Sequence, residues 1–487
     1  MTRFLFRCHT PLLKCDISLN NLYGNAFTMM HSFKKAVSYF GIDRAIMYTA
    51  VSRMIQAIGG TVSILFVLKY LTSVEQGFYY TFGSIVAIQV FFELGLNGII
   101  TQYVAHEASH LTWLNGALDG KSQYLSRLSS LLHFSLKWYL CFATLLLFTL
   151  LIVGAFFFNR YGKTNGTVSW EVPWILLSAG TGISLLISPL IAFLEGLGKV
   201  KEMAKIRLIQ QIVTFAIVWG GLVLGEKLFV SGVSILIGTF LIVSMLIFGK
   251  YSKILLGIWS VTVTEKVHFR TEIFPYQWKI ALSWISGYFI FQLFNPVLFA
   301  TEGAVVAGQM GMTLAVLNGI LSLSFAWIAT KVPLFSGLIA QKEYSQLDNI
   351  FNKTLKQSAF INLSALIFLG MAIFLLRFYN IEIGGKYLGS RFLNYVPMLC
   401  MMIPVFLNQI VASWATYLRC HKREPFLINS IVGGVLCSLS TVLLGKYFGV
   451  NGVTGGYCLI SISMFPWAWN IYKTKKTEWH SSAITYK

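Results

Sequence analysis

Residues 88–110 read IQVFFELGLNGIITQYVAHEASH, and two readings of this stretch lead to different proteins. Its end, His106-Glu107-Ala108-Ser109-His110, sets two histidines one helical turn apart with a glutamate between them. That is the H-E-x-x-H pattern, in which both rings hold Zn²⁺ and the glutamate acts as base. Its whole length carries Gln89, Glu93, Asn97 and Thr101, each four residues after the last, which places them in one polar stripe down a helix. The first reading makes an enzyme. The second makes a membrane span with a polar face.

Composition separates them. Of 487 residues, 56% are hydrophobic and 11% charged, whereas a soluble domain carries about 25% charged residues. The balance is that of a membrane protein. The four aspartates, Asp16, Asp43, Asp119 and Asp348, form no D-x-D pair, which argues against a cation-dependent glycosyltransferase. The net charge of +20 does not point to nucleic acid, because the basic residues lie between apolar runs and read as topology determinants. Seven cysteines include no C-x-x-C, and most fall in apolar runs as small buried hydrophobes.

Apolar runs long enough to cross a bilayer recur near 46–70, 78–102, 131–157, 172–194, 206–224, 229–248, 278–299, 305–330, 357–376, 394–418, 426–444 and 449–471. The connections are too short to hold a catalytic domain. With the N-terminus inside, 28 of the 38 lysines and arginines fall in inner segments and 8 in outer loops, while Arg53 and Lys137 lie within spans. That bias sets both termini in the cytoplasm. Residues 1–29 lack the apolar stretch of a signal peptide and read as a tail, or as an upstream extension of a chain starting at Met29 or Met30.

The two halves repeat. LGEKLFVSGVSILIG (224–238) resembles LGKYFGVNGVTGGYC (444–458), and Glu75 has a counterpart in Glu302. Six spans per repeat is an even number, so both halves enter from the same side and are related by rotation about the membrane normal, a recurrent transporter plan. The expectation is an all-α polytopic membrane protein of about 12 transmembrane helices in two six-helix lobes. Residues 1–40 form a cytoplasmic tail, 41–250 the first lobe, 251–277 a cytoplasmic linker, 278–472 the second lobe and 473–487 a second tail.

Span 1 carries Arg53 and Gln56 on one face. The turn to span 2 centres near Ser73, so Arg53 and Glu93 stand at equal depth in antiparallel neighbours. An isolated charge there costs several kcal/mol, and pairing is the expected arrangement. Such a pair can fix two helices, line a cavity that meets an anionic head group, or do both. The second half offers no charged equivalent, only Gln292 and Asn295 in span 7 with Gln309 and Thr313 in span 8.

GIDRAIMYTAVSRMIQ (41–56) and EQGFYYTFGSIVAIQVFFELGL (75–96) together resemble polysaccharide flippases of the multidrug/oligosaccharidyl-lipid/polysaccharide exporter superfamily. The close likeness covers residues 41–115, and the topology extends it to nearly the whole chain. The resemblance implies a MATE-like fold in a bacterial inner membrane. It implies a polyprenyl-pyrophosphate-linked oligosaccharide as cargo, turned to the outer leaflet for O-antigen, capsule or exopolysaccharide synthesis, with H⁺ or Na⁺ as a coupling ion. In that frame Arg53 takes the pyrophosphate, Glu93 is its partner, and Gln56, Gln89 and Asn97 meet sugar hydroxyls, with Gln292 and Asn295 on the opposite wall. The competing class is a drug/cation antiporter of the same superfamily, in which Glu93 would exchange a proton or Na⁺ for a cationic compound.

The zinc reading fails on its third ligand. Trp113 stands where a G-x-x-H continuation needs glycine, and no glutamate follows Glu107 until Glu171. HEASH reads as the cytoplasmic end of span 2, with no metal, no cofactor and no catalytic role.

Overall fold

The computed structural model describes residues 44–481 except 115–116, 163–167, 383–385 and 422; the expected tail of residues 1–40 lies outside the described residues. The chain is nearly all helix. Helix α1 (Arg44–Tyr70) ends in a tight turn, and α2 (Ser73–Val86) starts on a capping box. The Thr72 hydroxyl accepts from the Glu75 N–H at 3.2 Å, and the Glu75 carboxylate accepts from the Thr72 N–H at 2.8 Å, so orphan donors of the first turn are satisfied reciprocally. A 3₁₀ turn at 87–89 leads into the short α3 (Val90–Glu93), and α4 (Leu96–Ala108) follows. An antiparallel hairpin, β1 (Leu111–Leu114) with β2 (Ala117–Gly120), then precedes α5 (Ser122–Tyr161), α6 (Glu171–Gly196), α7 (Val200–Leu224) and α8 (Phe229–Ile247). After α9 (Lys250–Trp259), the second half comprises α10 (Phe274–Phe291), α11 (Phe294–Thr301), α12 (Ala304–Ala329), α13 (Val332–Ala340), α14 (Tyr344–Phe378), α15 (Tyr395–Arg419) and α16 (Leu427–Ser481).

Nine helices among the described residues are long and apolar enough to cross a membrane, ten when α2–α4 count as one bent span. Helix α16 reverses at Gly449, where φ is +55° and ψ −140°; on either side of it Gly445 lies against Val453 and Gly456 against Ser440. Counting that hairpin twice and adding α1 gives the twelve crossings. The chain from Lys473, expected as a tail, continues α16 as helix to Ser481 and is held there by Lys476, 2.9 Å from Asp348.

The repeat has a physical signature. Glu75 pairs with Lys227 at 2.7 Å, just before α8, and its counterpart Glu302 accepts the Val450 N–H at 2.7 Å, beside the reversal in α16. In each half a glutamate at the start of the second crossing ties down the turn before the sixth.

One departure from expectation is decisive. Span 2, read as a single helix over 78–102, is bent by 40° where α3 gives way to α4. Leu94 and Gly95 there are both left-handed, at φ +51° and +68°. Gly95 is required twice over, by its φ and because a Cβ would overlap the Ile280 side chain.

The turn at 71–72 marks one end of the bundle and the β-hairpin the other. Toward the turn face the halves share one apolar core, which runs from Phe78 and Phe158 across to Phe299, Ala304, Met310 and Met401. Toward the hairpin face the second half has a separate core around Phe335, Phe351, Trp414, Tyr417 and Tyr472. Helix α12 shows the change along its length. Ala304, Ala307, Gly308, Met310 and Leu317 are buried against α2, while Asn318, Ser322, Leu323 and Trp327 are exposed. Contact on the turn side is backbone to backbone, since a Cβ on Gly77 would overlap the Ala304 carbonyl, and one on Gly308 would come 2.9 Å from the Gly77 nitrogen. Small residues permit that approach where no hydrophobic effect drives helices together. Polar ties reinforce it: Gln76 donates to the Gly308 carbonyl at 2.8 Å, and the buried Arg391 donates to Leu71 O at 2.7 Å and to Gln76 Oε1 at 3.2 Å.

Gly77→Val should therefore push α2 off α12, at a cost of about 1–3 kcal/mol for an overpacked site. Thermal unfolding of the purified protein should show a lowered Tm. Gly83→Ala, at an exposed position with open space around it, should leave the Tm unchanged.

Candidate functional site

The break at Leu94-Gly95 builds the site. A non-glycine residue in the left-handed region costs about 1–2 kcal/mol, so the break at Leu94 persists only because its surroundings hold it. It starts α4 within the membrane span, where the first amide N–H groups of a helix have no intrahelical acceptors and carry the positive end of its dipole.

Glu93 closes α3, and Asn97 sits in the first turn of α4. Asn97 Nδ2 donates to Glu93 Oε1 at 2.8 Å. The same amide's Oδ1 accepts from the Tyr139 hydroxyl of α5 at 2.8 Å and from the Ser188 hydroxyl of α6 at 3.4 Å. One turn later Thr101 donates to the Ala192 carbonyl of α6 at 3.0 Å. Arg207 of α7 turns its guanidinium to Glu195 at 3.2 Å. A half-buried carboxylate thus stands at the break with an amide fixed against it. This arrangement can hold a charge at depth, orient a hydrogen-bonding ligand and repack when α4 moves relative to α3.

The residues expected from sequence divide between this cluster and the seam. Glu93 and Asn97 are joined directly, and Gln89 lies half-buried in the 3₁₀ turn just before them. The stripe they form is not one continuous helical face, because the left-handed pair interrupts it. Arg53 lies in α1, and its side chain is outside the described residues, as is any pairing with Glu93. Gln56 is exposed on α1. Gln292 marks the join between α10 and α11: Pro296 has no N–H to return to the Gln292 carbonyl, so the helix stops and restarts. Asn295 is buried, and its Nδ2 donates to the Ser84 hydroxyl of α2 at 2.9 Å. It stitches the two halves together on the turn side.

Tyr139, Ser188 and Arg207 were not singled out from sequence. Tyr139 and Ser188 are polar residues in apolar runs with no periodic signal around them, and Arg207 is one of several cations in the basic stretch 198–211.

HEASH also finds its place. Glu107 is buried and pairs with Arg127 at 2.9 Å, and Arg127 reaches Glu272 of the linker at 2.7 Å. The Tyr103 hydroxyl donates to the Glu272 carbonyl. Burial raises the Glu272 carboxyl, but the His268 N–H and the Arg127 guanidinium outweigh it and hold the group below its ordinary range. His106 points to solvent, and the His110 ring stacks on Tyr124 with centroids 4.3 Å apart. Among the described residues no three histidine, cysteine, aspartate or glutamate side chains converge as metal ligands.

No protein-family model matches the chain, and no curated protein matches it by sequence. Solved structures do resemble it. One is an inward-facing multidrug resistance MATE family transporter of the MOP superfamily, with a TM-score of 0.54 at 12% identity over 87% of this chain and 99% of that one. Another is the lipid II flippase MurJ in an inward closed conformation, with a TM-score of 0.53 at 15% identity over 87% of this chain and 86% of that one. A third is a MOP superfamily transporter from Pyrococcus furiosus, with a TM-score of 0.50 at 12% identity over 90% and 95%. The fold is that of MATE and MOP transporters. The chain is a multi-pass membrane protein.

If Asn97 bridges Glu93 to Tyr139, its loss should cost more than that of either neighbour alone. Tyr139→Phe removes one hydrogen bond, at about 1 kcal/mol, whereas Asn97→Leu also strips Glu93 of its donor, at about 1–3 kcal/mol. Stability measurements on both single variants and the double variant should be non-additive, as expected of a shared network.

Proposed function

We propose that this chain is a flippase for a polyprenyl-pyrophosphate-linked oligosaccharide. It would carry that lipid from the inner to the outer leaflet of a bacterial inner membrane by alternating access, in surface polysaccharide synthesis of the O-antigen, capsule or exopolysaccharide kind. The observation that carries the reading is the contrast between the two faces: a shared core at the turn face, divided cores at the hairpin face. Exposed polar groups (Gln56, Gln102, Asn318 and Ser322) lie on the hairpin-side halves of α1, α4 and α12. Polar groups at that depth favour a water-filled gap over lipid. By the distribution of basic residues the hairpin face is cytoplasmic, the side on which such a glycolipid is assembled.

The chemistry fits the cargo. A sugar–pyrophosphate head group cannot enter hydrocarbon without losing its hydration, and neutral amides and hydroxyls can replace part of that hydration. Arg53 is the cation assigned to the pyrophosphate, with the α4 N-terminus as a second source of positive potential. Gln56, Gln89 and Asn97 meet sugar hydroxyls, and Gln292 lies on the opposite wall. A drug/cation antiporter remains the second reading, because Glu93 is a carboxylate within a span. Such an exchanger needs that carboxylate available to its cation, and here Glu93 already accepts from Asn97.

Arg53→Gln, expressed at the wild-type level in cells lacking the native protein, should abolish transport and leave lipid-linked glycan on the cytoplasmic leaflet. Clearance of that pool at the normal rate would remove Arg53 from the site.

A further inference from the structure

The connection between α14 and α15 builds a cavity at the turn face that the proposed transport cycle does not use. Helix α14 gives way to Asn380, whose left-handed φ of +47° suits an asparagine and turns the chain back over the helix end. The Asn380 and Ile381 N–H groups close that turn on the Arg377 and Leu376 carbonyls, at 3.3 and 3.1 Å. Further along, Lys386 and Arg391 both donate to Leu71 O, at 3.0 and 2.7 Å, and so fasten the turn before α2. Between the helix end and this connection lies an open cavity of about 450 Å³, walled chiefly by Gln309, Arg377, Asn380, Tyr387, Ser390 and Asn394. That volume is in the range of about 300–1,000 Å³ usual for small-molecule sites.

Arg377 is the cation of this cavity, and only neutral groups hold it. Its Nε donates to the Gly389 carbonyl at 3.0 Å, its Nη2 to the Phe392 and Leu393 carbonyls at 3.0 Å each, and its Nη1 to Asn394 Oδ1 at 3.2 Å. Four acceptors meet five N–H donors, so one N–H on Nη1 is left over. The ion pairs among the described residues do not include Arg377. Glu382, on the same connection, accepts from the Tyr387 hydroxyl. Carbonyl dipoles and the Tyr395 ring, 4.9 Å from the guanidinium carbon, fix the cation in place without cancelling its charge.

The border of the cavity is apolar. Met371, Phe374 and Phe378 are exposed along one face of α14, with Val396 and Leu399 exposed at the start of α15. Phe374 stacks on Phe378 and packs against Tyr395, the ring that backs Arg377. A cationic, amide-lined cavity at the end of a crossing is thus continuous with a track of apolar side chains at bilayer depth. By the distribution of basic residues the turn face is the outer one.

We propose that this cavity holds the headgroup of an anionic phospholipid of the outer leaflet, with an acyl chain along Met371, Phe374 and Phe378. The chemistry selects the class. A phosphodiester of net negative charge answers an unneutralised guanidinium, whereas a zwitterionic headgroup brings its own cation. The amides of Gln309, Asn380 and Asn394 suit headgroup hydroxyls, such as those of a glycerol. Free phosphate would leave the apolar track uncovered. Since Lys386 and Arg391 belong to the same connection, an occupied cavity braces the closed seam. The inference is independent of the cargo assigned to the chain.

The test uses the purified full-length chain in a neutral detergent, titrated with dioleoyl phosphatidylglycerol, dioleoyl phosphatidylcholine or inorganic phosphate. Tm is the readout, because a ligand of the folded state stabilises it in proportion to its saturation. A saturable rise is expected with phosphatidylglycerol, at a half-saturating concentration about tenfold or more below that of phosphatidylcholine, and no rise with phosphate. Arg377→Gln should erase the preference for the anionic lipid. Asn380→Gly, which keeps the left-handed turn, and Phe374→Ala should each weaken the response to it. Arg419→Gln, at the opposite face and paired with Glu424, should keep the wild-type response. Equal wild-type responses to the two lipids would overturn the proposal, and so would a rise with phosphate that matches the anionic lipid; neither comparison needs a variant to fold. A preference unchanged in Asn380→Gly and Phe374→Ala would also overturn it, by placing the lipid elsewhere.

Discussion

The approach of Gly77 to Gly308 and Ala304 is the contact on which the rest of the architecture depends. In a bilayer two helices gain nothing from hiding apolar surface, so backbone proximity and hydrogen bonds must supply the adhesion. Here both are concentrated on one half of one helix pair. Gln76, Arg391 and Asn295 add their hydrogen bonds at the same end. Along α2 and α12 the lobes are therefore joined at one face and free to differ at the other, while the broken crossing meets the second half through Ile280 and Tyr288 of α10. The alternating access proposed for this chain needs that asymmetry, because a molecule sealed evenly at both faces has no side from which to load.

The second constraint is the broken crossing. A continuous helix over 73–108 would satisfy its own backbone and present a smooth surface to its neighbours. The left-handed pair at Leu94-Gly95 sacrifices that regularity and starts a new helix next to Glu93 within the span. Non-helical backbone at such depth is tolerated where protein or water covers it. Asn97 bridges the interruption, holding Glu93 with one end of its amide and Tyr139 and Ser188 with the other.

Much of the fold was legible in the sequence, since hydropathy and the placement of lysine and arginine are strong signals in a chain with 11% charged residues. The equivalence of Glu75 and Glu302 was visible, although not the turns that they fix. The break was hidden. Glu93, Asn97 and Thr101 keep helical spacing through it, and a glycine in an apolar run is ordinary in a membrane helix. Its cause is tertiary, in Ile280 across from Gly95 and Tyr139 across from Asn97. Asn295 was read as lining a cavity because an amide in a span looks functional, but its partner Ser84 is 211 residues away and no local pattern announces it. Arg391 was counted among outer-loop charges, and the structure buries it in the seam.

The central claim is that the lobes part on the hairpin side while sealed on the turn side. Ser322 tests it most directly, being exposed on the hairpin-side half of α12. A maleimide needs a hydrated thiol, so it distinguishes a water-filled gap from lipid. In a cysteine-free background, Ser322→Cys should react with a membrane-impermeant maleimide applied from the hairpin face and resist the same reagent from the turn face. Reaction only from the turn face, or none from either side, would contradict the account.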